Sequence, residues 1–134
     1  MKLSAGDRQA LVVHRIEQMR TAARSCRVLL DESDMQGAAN RLYCSIFCGI
    51  SAVAPSREKS FSRHGSLIGW FNREFVNTGP IEGSVGRFVS TAWKNRTRGD
   101  YQFIFSLTRD DLEESISTLE EFTARIDSLL KARS

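Results

Sequence analysis

"VVHRIEQMRTAARSCRVLLDESDMQGAANRLYCSIFCGISAV", residues 12–53, carries two helical stripes with a short polar break between them. Val12, Ile16, Met19, Ala23, Cys26 and Leu30 step by four and three, the spacing of one buried helix face, while Arg20, Arg24 and Arg27 fall on another. After the break, Ala39, Leu42, Ile46, Gly49 and Val53 resume the same period until Pro55, where a second helix is expected to stop. Ser33 and Gln36 have the spacing of a capping box and predict the start of that helix. A break this short makes the two helices antiparallel neighbours. Ala38, Ala39, Ser45, Gly49 and Ala52 are small enough to let another helix approach the second one closely.

The pattern extends outward in both directions. "PSREKSFSRHGS" (55–66) has loop composition and no period. A shorter helix is expected over 66–76 with Leu67, Trp70, Phe71 and Phe75, broken by "NTGP", and Pro80 suits the first position of a fourth helix carrying Ile81, Val85, Phe88, Val89, Ala92 and Trp93. "GSVG" (83–86) lies inside it without the lysine of a phosphate loop, and marks a close helix crossing. Thr108 and Asp111 form a capping-box variant ahead of a last stripe of Leu112, Ile116, Leu119, Ile126 and Leu129. The expectation is all-α: an up-and-down bundle of about five helices in one domain, 1–134, with two short helices between the long ones and Gly99 beginning the link to the last.

At 134 residues and 41% hydrophobic, the chain is long enough for a real core. No apolar run approaches the roughly 18 residues of a membrane span, and Asp7 and Glu17 interrupt the start where a signal peptide would be basic and then apolar, so a cytoplasmic protein with no membrane partner is expected. Cys26, Cys44 and Cys48 are odd in number and sit in periodic helical stretches, which fits reduced thiols. Cys44 and Cys48 could share a metal with His64, but one pair at four-residue spacing is weak evidence, and small buried thiols are the better reading. Residues 1–107 are net +6 and residues 108–134 net −3. A basic body attracts phosphate, though an excess of this size is also ordinary on solvated helices.

One segment calls for chemistry. In "KNRTRGDY" (94–101), Lys94, Arg96 and Arg98 alternate toward a glycine, with Asp100 and Tyr101 following. Cations at a helix C-terminus complement the dipole, Gly99 suits the residue after it, and Asp100 can pair with an arginine. The phenol at a fixed offset from Arg96 is left without explanation.

"GAANRLYCSIFCGISAV", "RHGSLIGWFNREFVNTG" and "RTRGDY", in this order, resemble the HEPN superfamily of small all-helical prokaryotic domains, often encoded beside a minimal nucleotidyltransferase. Its most specific pieces here are Asn40, Arg41 and Tyr43, then His64 and Gly65, then Phe71, Asn72, Phe75 and Gly79, and finally Asp100 and Tyr101. The resemblance implies a homodimer that targets RNA or a nucleotide. Many such proteins are metal-independent ribonucleases, toxins or defence components, whose arginine and histidine meet their copies across the dimer; others only bind. It implies no cofactor. A nucleotidyltransferase-type antitoxin can silence relatives of the toxin kind by attaching adenylate to a motif tyrosine, the place Tyr101 holds here. This sequence departs from the pattern: Tyr101 stands where the histidine would be, and Cys44 and Cys48 where many relatives carry a second tyrosine and a histidine.

Cleaving RNA without metal needs a base, an acid and cations for the phosphorus charge. Arg96 supplies the last, with Arg98, Lys94, Arg63 and Arg41 as further phosphate contacts and Asp100 beside them. A tyrosine, with a pKa near 10, is a poorer base than a histidine near 6.5, so Tyr101 suits the acid or a ligand. His64, flanked by Arg57, Lys59 and Arg63, could complete the site if its loop folds over it, although a histidine entering a helix more often caps or packs. His14 is expected on the surface.

Overall fold

The computed structural model describes residues 3–77, 81, 83–97 and 108–131, with the backbone alone at 93 and 95–97. Among these are five α-helices and no strand: α1 (Ala5–Asp31), α2 (Met35–Ser56), α3 (His64–Phe71) running into a π turn (Asn72–Val76), α4 (Gly83–Thr97) and α5 (Arg109–Lys131). The expected fold class, an all-α bundle with two short helices between long ones, is the one observed. None of the described helices is long and apolar enough to cross a membrane.

Met19, Cys26 and Leu30 of α1 have no exposed surface, and nor do Ala38, Ile50, Ala52 and Val53 of α2. The Ser45 hydroxyl donates to the Met19 carbonyl at 2.8 Å, which two helices can do only when their backbones run close together. Gly49 shows how close. A Cβ built there would lie 2.8 Å from Met19 Sδ and 2.9 Å from the Phe122 ring. Contacts Met19 to Ser45, Arg15 to Ser51 and Arg8 to Glu58 rise along α1 as they fall along α2, so the pair is antiparallel.

The connection between them corrects one expectation. Ser33 is not the cap of α2 but the left-handed residue closing α1, at φ 65°. The Ser33 amide donates to the Leu30 carbonyl and the Asp34 amide to that of Leu29, the paired bonds of a Schellman ending. Asp34 then caps α2, accepting from the Gly37 amide at 2.8 Å. Two adjacent residues finish one helix and begin the next. Glu58 closes α2 the same way at φ 60°, with the Glu58 amide on the Pro55 carbonyl and Lys59 on Ala54.

Helix α5 packs on both. Its buried side chains are Leu112, Ile116, Leu119, Phe122 and Ile126; Leu129, assigned to the stripe from sequence, is half-buried, while Phe122, left out of it, is fully covered. Both Glu113 oxygens accept from Arg27 Nη1 at 2.8 Å, and Asp127 accepts from Arg20 at 2.9 Å, so the arginine face of α1 meets the acids of α5. Exposed pairs of this kind are worth about 0–1 kcal/mol each, so they set register while apolar burial supplies the stability.

Because α5 runs antiparallel to α1, it is parallel to α2, and the chain between must travel back. The segment from α3 to α4 makes that return. Trp70, Phe71 and Phe75 are buried as expected, with Phe75 5.4 Å from both other rings. The π turn, where the Asn77 amide reaches the Asn72 carbonyl, inserts a residue into the helical ladder between Phe71 and Val76. Gly86 of α4 lies against Val76 with no room for a Cβ, the close crossing expected from "GSVG". Ile81 is buried but precedes α4, which begins at Gly83; Pro80 and Gly99 lie outside the described residues.

Two outcomes follow. Gly49→Val should destabilise the protein by about 2–3 kcal/mol, read as a lower urea midpoint, because the added carbons meet a packed ring and thioether. At α5, Thr108 Oγ1 accepts from the Asp111 amide at 3.1 Å while Asp111 accepts from the Thr108 amide at 3.0 Å. The Thr108 amide first, and the Thr108 side chain second, hold the Asp111 carboxyl below its ordinary 3.8. Its contribution is therefore complete above that pH and is lost as pH falls through the lower folded value. Thr108→Ala should cost about 1 kcal/mol at neutral pH, and less in acid, in denaturant titrations across that range.

Candidate functional site

The cationic segment begins on α4. Lys94 is exposed in its last turns, and the backbone of Arg96 continues the helix to Thr97. Arg98, Asp100 and Tyr101 lie outside the described residues. Arg41 is half-buried on α2, and Arg63 is exposed at the position before α3, where its side chain makes no capping bond.

His64 opens α3. Its ring packs at 4.3 Å from that of Phe47 on α2, at the mouth of a cleft of about 310 Å³ between the first half of α1, the second half of α2 and the 57–63 loop. Of the flanking cations expected around it, only Lys59 lines this cleft. Arg57 turns the other way, donating to the Leu129 carbonyl at 3.3 Å and lying over the Phe75 ring at 5.4 Å. Two arginines of α1 take its place, Arg8 and Arg15. Among the described residues none of α4 lines the cleft, and the Arg96 side chain lies outside them.

Arg15 is held there by a backbone defect. Pro55 lies inside the last turn of α2, which runs one residue past it rather than stopping at it. Lacking an N–H, Pro55 cannot bond the carbonyl four residues back, that of Ser51. Arg15 Nη1 donates to that oxygen at 2.6 Å. Nearby, Arg8 pairs with Glu58 at 3.0 Å, and the Phe61 ring packs at 5.4 Å from Trp70, so the far wall is aromatic as well. Sequence reading missed both arginines because they sit on the first helix; the visible signal was a proline inside a helical pattern, whose orphaned carbonyl needed a donor from elsewhere.

Over 120 residues, covering 87% of this chain and 91% of the relative, the sequence is 32% identical to a UPF0332 protein of Thermotoga maritima. The chain belongs to the UPF0332 family. Similarity extends to a Methanocaldococcus jannaschii protein named "Putative toxin MJ0605", 28% identical over 107 residues, covering 80% of this chain and 79% of that one. A second protein of that organism, named "Putative toxin MJ0142", is 22% identical over 76 residues, covering 57% and 52%. No family model matches, and no solved structure matches significantly.

The thiols of this UPF0332 protein divide by environment. Cys26 is fully buried between helices, and burial pushes its thiol up to about 11. Cys44 and Cys48 are half-buried on α2; burial, then Cys44, raise the Cys48 thiol, against the pull of Arg15 and Arg41. No group of three metal-ligating side chains occurs among the described residues. A thiol-specific aromatic disulfide at pH 8 should therefore label Cys44 in the native protein and leave Cys26 unmodified until denaturant is added, as read by mass spectrometry of peptides.

Proposed function

We propose that this UPF0332 protein is an RNA-targeting toxin of the HEPN type, a single-domain cytoplasmic homodimer. In this reading Arg96, with Lys94 and Arg98, sits on a phosphate and Tyr101 lies beside it. The observation that carries this is the pair of relatives named as toxins, one matching four-fifths of the chain. A nucleotidyltransferase-type partner that adenylylates Tyr101 would be the matching antitoxin.

A second reading has its own support. Metal-free cleavage needs a base, and His64 packs against Phe47 in a cleft that no described side chain of α4 lines. Binding of RNA or nucleotide without cutting is the function that survives if no base joins Arg96.

Incubating the purified protein with total RNA and a tRNA pool in the presence of chelator separates the two. Under the toxin reading, wild type cuts, Arg96→Ala does not, and Tyr101→Phe tests the proton donor. Under the binding reading nothing is cut. Arg96→Ala with Arg98→Ala then weakens RNA binding and lowers its salt slope by about two phosphate contacts. Unchanged cutting and unchanged binding in the double variant would sink both.

A further inference from the structure

The cleft at the open end of the α1 and α2 pair has a composition that neither helix packing nor the Arg96 segment accounts for. Its floor is apolar, with Leu11, Ala54, Pro55 and Leu67. One wall is the Phe47 and His64 ring pair, and the loop side carries Phe61, braced by Trp70. Arg8, Arg15 and Lys59 line it against one carboxylate, Glu58, already paired with Arg8. Among the described lining residues two positive charges thus remain, on Arg15 and Lys59. Its volume of about 310 Å³ lies at the small end of ligand pockets.

We infer that this cleft binds a nucleoside monophosphate. A flat ring suits the aromatic walls, since base stacking on such side chains contributes about 1–3 kcal/mol without need of specific hydrogen bonds. A phosphate monoester, close to doubly charged at neutral pH, matches the two cations, where a single carboxylate would leave one uncompensated. Arg15 is fixed in place by the Ser51 carbonyl, which lowers the cost of ordering it around a ligand. Glu58 acts in the opposite sense: its carboxylate, tied to Arg8 at the rim, repels the incoming phosphate. Among the described residues none of α4 lines the site, and its argument does not depend on whether the protein cuts RNA.

Isothermal titration with adenosine monophosphate, adenosine, inorganic phosphate and a short oligoadenylate tests it. Adenosine monophosphate should bind saturably, and both adenosine and phosphate about tenfold or more weakly. Lys59→Ala should weaken binding about fivefold and Glu58→Gln should tighten it about threefold, the range expected for partly exposed charges. Both positions are exposed, so far-ultraviolet circular dichroism should report an unchanged fold. Arg96→Ala should leave this affinity as it is, which separates the cleft from the RNA reading. Absence of saturable binding to about 1 mM, equal affinity for adenosine, or no response to Glu58→Gln would overturn the inference. So would a longer strand binding more tightly than the monophosphate in a variant that combines Arg96→Ala with Arg98→Ala, or loss of monophosphate binding in Arg96→Ala.

Discussion

The fold depends on how near α1 and α2 come to each other. Ser45 reaching the Met19 backbone and Gly49 meeting Met19 and Phe122 set a separation that larger side chains would not permit. At that distance the two helices bury faces that would otherwise need a partner each. Helix α5 then sits in the groove they form, its Phe122 ring against Gly49, and the arginines of α1 face its acids. Part of the charge asymmetry along the chain is therefore neutralised on the surface of the bundle, between the first helix and the last.

Parallel α2 and α5 impose a return path, and the aromatic segment supplies it. An unbroken α-helix through 64–76 would carry Phe75 and Val76 at a different angle about the axis. The π turn allows Phe75 to meet Trp70, Phe71 and the guanidinium of Arg57 while Val76 meets Gly86. Arg57 is thereby committed to packing, which is why it is absent from the cleft its neighbours line.

The long helices were legible from sequence because their buried faces repeat at the helical period over about four to five turns. Their junction was misread at Ser33 because serine and aspartate both cap helices, and only the backbone bonds closing α1 decide which of two adjacent residues is free to do so. Phe122 was passed over because the stripe was followed through Leu119 and Ile126 without it. The Arg96 to Tyr101 segment was legible as a charge pattern and through its resemblance to HEPN motifs. The cleft was half legible: His64 and Lys59 share a loop, but Arg8 and Arg15 come from roughly forty to fifty positions earlier and are brought there by the antiparallel pairing. Proximity of that sort is a product of topology and leaves no local pattern.

Pro55 ties the backbone to the electrostatics. An ordinary residue there would return its amide to the Ser51 carbonyl, and α2 would be self-sufficient at that turn. With proline in place, the oxygen is answered by a guanidinium from another helix, whose remaining N–H groups carry full charge at the edge of the cleft. The position of that cation is thus dictated by an imino acid four residues along a different helix, so the cleft's electrostatic character can change through a residue that bears no charge.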